Sequence, residues 1–291
     1  MRSSKKITFK DIFFENLGGL AKGVFKIFKN HQSVSETVEI TSLELTLPRL
    51  DTAFEHYRLV QISDIHLGTW IDETRLLEIV TLVNQQSPDL IAITGDFITF
   101  DDPRYQDELV AYLSQLKPSE ATLAVLGNHD HWTNPEAVHR ILPECGIIDL
   151  TNTVHTVRRG DGMMHIAGVD DYLQDLDRLD LVLKQLPPDG SAILLAHEPD
   201  FADISAATGR FDLQLSGHTH GGQIRFPLIG PLYIPTGGKK YPLGRYQVNG
   251  MVQYTNRGIG TSAIQFRYQC PPEITVITLR APKVKTARLE N

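Results

Sequence analysis

The chain predicts an α/β fold built on mixed sheet, either one sheet or two packed together with helices outside. Three observations carry this. Short apolar runs alternate with segments of helical spacing from Tyr57 onward, which implies parallel strands with covered faces. The second half turns to hairpin-like strands, which are antiparallel. Five of the apolar runs end on blocks of metal-binding side chains, as loops at strand ends would.

Residues 1–30 come first. Placed on a helix, Phe9, Ile12, Phe13, Leu17, Leu20, Val24, Ile27 and Phe28 share one broad stripe, with Lys22, Lys26 and Lys29 opposite. Gly18, Gly19 and Gly23 weaken that helix, and no stretch is long and apolar enough to span a bilayer. A compact apolar core with a small-residue cleavage site is missing, as is a twin arginine. Two readings compete: a helix packed on the body of the protein or a frayed terminus, and a helix lying in the membrane interface. The lysines favour the second. The expected location is cytoplasmic, peripheral on the inner face of the membrane. Residues 31–36 are polar and read as a linker. The expected organisation is a basic segment and linker over 1–36, a body over 37–282 and a tail over 283–291.

Thr37 to Leu47 alternates as a half-buried strand, with an irregularity expected near Ser42 where the apolar phase shifts. Strands then follow at Arg58–Ser63, Leu90–Thr94 and Thr122–Leu126, separated by helical patterns at Glu73–Val83 and Tyr105–Leu116. Pro135 opens a short helix to Leu142, since proline at a first turn gives up no bonded N–H. Val154–Val157 and Met164–Ala167 form a hairpin candidate through Arg159-Gly160-Asp161-Gly162. Leu176–Leu186 reads as helix, and Ala192–Ala196, Leu213–Leu215, Met251–Thr255 and Ile274–Thr278 read as strands.

The formal charge of −7 hides an asymmetry: residues 1–30 carry +5, leaving −12 for the remainder. An acidic body argues against nucleic acid as a partner, because phosphate backbones select basic faces. Cys145 and Cys270 sit in unrelated contexts and read as two buried thiols.

The chemistry lies in Asp64-Ile65-His66, Gly95-Asp96, Gly127-Asn128-His129-Asp130, His197 and Gly217-His218-Thr219-His220. Alone, each is weak: Asp-x-His occurs by chance, and Gly-Asn-His-Asp has turn composition. His218 and His220 would share one face of a strand, which is compatible with a single metal. Jointly, in order and each after an apolar run, they point to a convergence of carboxylates, an amide and imidazoles on two divalent cations. Oxygen and nitrogen donors without thiolate suit manganese, iron or zinc. Asp96, alone between its flanking groups, is the natural bridge, and Asn128 adds a neutral oxygen beside an anionic substrate. The chain therefore reads as a hydrolase of phosphorus esters.

These five blocks resemble the calcineurin-like metallophosphoesterase superfamily over roughly residues 57–280. The resemblance implies two mixed sheets sandwiched between helices. It implies one metal on Asp64, His66, Asp96 and His220, and a second on Asp96, Asn128, His197 and His218. His129 matches the catalytic histidine. The expected reaction is in-line attack on phosphorus by a hydroxide that both cations share, with His129 as an imidazolium on the leaving oxygen. His131 reads as a solvated loop residue, while His31, His56, His139, His155 and His165 carry no spacing signal.

Gly237 to Tyr246, Arg257-Gly258-Ile259-Gly260 and Arg267 place cations and aromatics in glycine-rich segments that could grip a phosphate or a sugar. These segments look like the bacterial subfamily that includes membrane-associated enzymes cleaving the pyrophosphate of UDP-diacylglucosamine in lipid A assembly. The alternatives are a soluble phosphodiesterase or phosphatase with a small substrate, and a metal-bound scaffold without catalysis.

Overall fold

The computed structural model describes residues 37–262 and 264–283. The amphipathic segment and linker expected over 1–36 lie outside them, as does all but the first residue of the expected tail. Fourteen strands and six α-helices follow in chain order among these residues. The strands are β1 (Glu39–Thr46), β2 (Arg58–Ile62), β3 (Leu90–Thr94), β4 (Ala121–Val125), β5 (Ile147–Asp149), β6 (Thr153–Arg159) and β7 (Gly162–Gly168). Then come β8 (Ser191–Leu195), β9 (Leu213–Ser216), β10 (Arg225–Phe226), β11 (Gly230–Pro231), β12 (Gly244–Val248), β13 (Met251–Thr255) and β14 (Glu273–Arg280). The helices are α1 (Glu73–Gln85), α2 (Pro103–Leu113), α3 (Asn128–Thr133), α4 (Pro135–Glu144), α5 (Leu179–Gln185) and α6 (Ala202–Ala207).

Two six-stranded mixed sheets result, ordered β1-β14-β2-β3-β4-β5 and β12-β13-β9-β8-β7-β6. In the first, β2 to β5 run parallel and β14 runs antiparallel to β2. In the second, β7, β8, β9 and β13 run parallel, with β6 and β12 as antiparallel edges. The facing sheets bury Leu59, Leu90, Leu123 and Val125 against Ile166, Ile193, Leu195 and Leu215. Outside the first sheet, Leu76, Ile79 and Val80 of α1, Leu109 of α2 and Val138 of α4 cover Val60, Ile62, Ile91 and Ile93. Outside the second, Val182 of α5 and Ala202 of α6 cover Ala192 and Leu194. Helix, sheet, sheet, helix is the order of layers. Strands covered on both sides carry apolar residues on both faces, which is why their sequences read as runs and not as alternations.

Local chemistry sets the helix starts. The Asp72 carboxylate accepts the Arg75 amide at 2.9 Å and caps α1. Asn134 caps α4 by accepting the Ala137 amide at 3.0 Å, with Pro135 in the first turn. The hairpin turns through Gly160 and Asp161, with Arg159 paired to Gly162.

Four expectations change. The irregularity near Ser42 is absent: β1 pairs with β14 in unbroken register from Glu39 to Arg280. Its apolar phase shifts because Val38 packs toward the helix layer, while Leu43 and Leu45 pack between the sheets. The helix expected over 176–186 starts only at Leu179. Gly-Asn-His-Asp opens α3 instead of forming a free turn. Gly244, in a glycine-rich segment with no strand expected, starts an antiparallel edge strand, since Arg245 to Val248 find a full ladder on β13.

Candidate metal centre

Asp64, Asp96 and Asn128 follow β2, β3 and β4 of one sheet, and His197 and His218 follow β8 and β9 of the other. All five strands point the same way within their sheets, so their carboxyl ends meet where the sheets face each other. The His218 amide donates to Asp64 Oδ1 at 3.0 Å and thereby ties the two rims together. Farther down, the Gln61 amide nitrogen donates to Thr94 Oγ1 and to the Ser216 carbonyl, both at 3.0 Å, and fixes the sheets to each other.

The structure brings all eight expected residues together, each buried. Asp96 Oδ2 stands 3.3 Å from His66 Nε2 and 3.3 Å from His197 Nε2. On the His66 side, His220 Nε2 lies 3.1 Å from His66 Nε2 and 3.5 Å from Asp64 Oδ1. On the His197 side, Asn128 Oδ1 lies 3.2 Å from His197 Nε2 and 2.8 Å from His218 Nδ1. The His129 ring is edge-on to His66, with centroids 4.6 Å apart, and its amide donates to Asp96 Oδ1 at 2.8 Å.

The backbone is strained to achieve this. Asp64, His66, Asp96, His218 and His220 have φ of 52°, 47°, 58°, 70° and 50°. Each left-handed non-glycine residue costs on the order of 1 kcal/mol, and such residues cluster where a site over-determines them. His218 and His220 therefore do not share a strand face: β9 ends at Ser216, and the histidines sit in a loop and a 3₁₀ turn. Two glycines make the packing feasible. A Cβ on Gly95 would stand 2.5 Å from His197 Nδ1, and one on Gly217 would stand 1.9 Å from Ser63 Oγ.

The outer ring nitrogens are tied down. His197 Nδ1 donates to the Thr94 carbonyl at 2.7 Å, and His218 Nε2 donates to the Thr236 carbonyl at 2.8 Å. His66 Nδ1 is hydrogen-bonded to Thr99 Oγ1 at 2.8 Å. Such bonds leave the inner nitrogens as lone pairs aimed at a shared point. Burial pushes the His218 pKa down to about 4 and holds His220 well below the histidine range. A neutral His218 that donates through Nε2 presents a lone pair at Nδ1 to the lone pairs of Asn128 Oδ1. A divalent cation between these two atoms would satisfy both lone pairs. Burial also works against charge on His197, yet the Asp96 carboxylate wins and raises its pKa well above the usual value. The oxygen and nitrogen donors of the cluster suit divalent metals.

Burial pushes the His129 pKa down to about 3, with the Asp96 carboxylate opposing the shift and the neighbouring imidazoles adding to it. His131 is not a solvated loop residue: it lies in α3, its side chain is 9% exposed, and Nε2 meets Asp170 at 2.7 Å. Arg267, expected to grip substrate, is fully buried and donates to the carbonyls of Gly260, Cys270, Arg257 and Gly258. Arg257 is engaged by Glu273 at 2.6 Å and Glu39 at 3.0 Å. Both arginines are held by the fold, because buried guanidinium groups must satisfy their fork of donors. Cys145 and Cys270 are buried free thiols, as expected.

Three buried acidic residues, Asp130, Asp171 and Glu198, have no ligand role in the sequence-based expectation. Asp130 accepts the amides of Asp96, Phe97, Ile98 and Gly127 at 2.8 to 3.1 Å and holds the β3 loop against α3. Its place in Gly-Asn-His-Asp was the available signal. Asp171 and Glu198 are buried with one oxygen each lacking a hydrogen-bond partner, and Glu198 groups with His197 and His218. No spacing pattern pointed to Asp171.

A convergent set of buried imidazoles and carboxylates at the joined rims of two mixed sheets defines a metal-dependent hydrolase of phosphoric esters. The chain belongs to the calcineurin-like phosphoesterase family, whose model matches residues 57–222. It is similar to the uncharacterized metallophosphoesterase YkuE of Bacillus subtilis, with 35% identity over 84% of this chain and 86% of that one. It is also 30% identical to the phosphodiesterase YaeI of Escherichia coli, over 77% of this chain and 82% of that one. A zebrafish (Danio rerio) transmembrane protein with metallophosphoesterase domain is 30% identical over 85% of this chain and 59% of its own length. Among the described residues no helix is long and apolar enough to cross a membrane.

Proposed function

We propose that the centre holds two divalent cations (manganese, iron or zinc) and hydrolyses a phosphoester or pyrophosphate. Asp64, His66, Asp96 and His220 would hold one ion; Asp96, Asn128, His197 and His218 would hold the other. The observation that carries this is the position of Asp96 Oδ2, equidistant at 3.3 Å from the inner nitrogens of His66 and His197. Bound there, the cations supply Lewis acidity, which acidifies water and neutralises phosphate oxygens. The chain's own residues do the rest. Asp96 aligns both subsites through one carboxylate. Asn128 contributes an oxygen without charge, limiting repulsion toward an anionic substrate. His129 would donate its ring N–H to a phosphate oxygen and, once protonated from solvent, pass that proton to the leaving oxygen.

The substrate we infer is a lipid-linked or nucleotide-sugar pyrophosphate of the UDP-diacylglucosamine type, met at the membrane surface. Its supports are the likeness of residues 237–267 to that subfamily, the +5 charge of residues 1–30, and a relative that is itself named a transmembrane protein. The test is turnover of a generic phosphodiester, a phosphomonoester and a nucleotide-sugar pyrophosphate with manganese supplied. Preference for the pyrophosphate is expected. Turnover of small diesters alone points to a phosphodiesterase of small substrates, and no metal-dependent turnover leaves a scaffold.

A further inference from the structure

Between the paired strands β10 and β11 the chain turns through Pro227, Leu228 and Ile229. Leu228 is 109% exposed and Ile229 76%. Leu228 also has φ of 67°, where a bulky aliphatic residue is strained and Gly or Asn sits easily. A turn needed only to reverse the chain would be polar. This one holds two aliphatic side chains out into water, at a cost in strain and in hydration.

The tip belongs to the metal-bearing end of the molecule. Its excursion leaves from His220–Gly222 and returns at Thr236, whose carbonyl accepts from His218 Nε2 at 2.8 Å. Two further exposed rings stand by the same rim. Trp132, half exposed, has its ring 4.9 Å from that of His129, and Phe100 follows Thr99, which bonds His66. Strand polarity brings the start of the body here too. The carboxyl end of β2 carries Asp64, β14 is antiparallel to β2, and β1 is parallel to β14. Thr37, the first described residue, therefore begins at the metal end.

We propose that Leu228 and Ile229 form a wedge that enters the interfacial layer of an anionic bilayer, seating the metal centre toward the lipid. This deepens, and rests on, the reading of a lipid-linked substrate. Stable peripheral membrane binding commonly combines an apolar insertion with a basic cluster; the tip supplies the first, and the sequence carries the second as the +5 charge of residues 1–30. A folded protein partner fits less well, since a stable interface needs about 800 Å² per side and a three-residue tip cannot supply it.

The test uses the full chain and vesicles of phosphatidylcholine with phosphatidylglycerol, scored by co-sedimentation beside turnover of soluble bis(p-nitrophenyl) phosphate. Leu228→Ser with Ile229→Ser should lower vesicle partitioning at least roughly tenfold and leave soluble turnover unchanged. Leu228→Trp should raise partitioning and shift tryptophan emission to the blue on adding vesicles. Undiminished binding by the double variant, no binding by the wild type, or no gain from Leu228→Trp overturns the wedge. A change of oligomeric state in the double variant also overturns it, by making the tip a contact between copies. If binding follows the tip while no variant hydrolyses any phosphoester, the hydrolase reading fails and the wedge stands.

Discussion

The Asp130 carboxylate accepts the backbone N–H of Asp96 at 2.9 Å, so the residue that lies between His66 and His197 is held by its main chain from a neighbouring helix. Three more amides, of Phe97, Ile98 and Gly127, end on the same carboxylate. Asp130→Ala would leave four buried donors without an acceptor, at about 1–3 kcal/mol each before relaxation. The expected result is a fall in thermal midpoint together with loss of bound metal. A variant with wild-type midpoint and metal content would show that these bonds are dispensable.

Asp64 and Asp96 should separate by stoichiometry. Asp64→Ala removes a donor from one subsite and Asp96→Ala from both, each weakening metal binding at least roughly 10–100-fold, the range for losing mere outer-shell partners. Metal analysis after dialysis should find one ion retained in the first variant and none in the second. Equal retention in both would argue against a shared carboxylate.

His129→Ala should keep its metals, because the contact with Asp96 Oδ1 is made by the backbone amide and survives the change. Turnover should drop about 10²–10⁴-fold, the usual weight of general acid–base catalysis. Phosphodiester turnover at saturating manganese measures this, and an unchanged kcat would remove His129 from the reaction.

Arg267 should prove structural. Arg267→Ala abandons four buried carbonyls, a loss of about 3–5 kcal/mol by analogy with broken buried networks. The thermal midpoint should fall steeply. A raised KM with an unchanged midpoint would restore Arg267 to substrate binding.

The pair of His139 and Asp149, 2.5 Å apart, predicts a pH window for stability. The bond to Asp149 raises the His139 pKa above 6.5, so its contribution is full below 6.5 and is lost as pH rises through the raised value. Burial opposes charge on Asp149, but His139 and Thr151 hold its carboxyl below 3.8, so that contribution is full above 3.8 and is lost as pH falls. Stability from the pair peaks between those limits. His139→Gln should flatten the pH dependence of the midpoint, by on the order of 1 kcal/mol or less for a half-exposed pair. An unaltered profile would assign the bond no net worth.

The chain by itself determined the alternation of strands and helices, the apolar runs of both sheets and the five blocks whose side chains converge. These are properties of local order: period, turn chemistry, and which side chain follows which run. Tertiary structure alone decided the rest. That His220 meets His66 across 154 positions and that Arg257 and Arg267 turn inward both depend on partners outside their own segments. The left-handed backbone at five of the donors is likewise invisible in composition. Only the closed packing of two sheets can hold a strained conformation in place, because the surrounding contacts outweigh its cost.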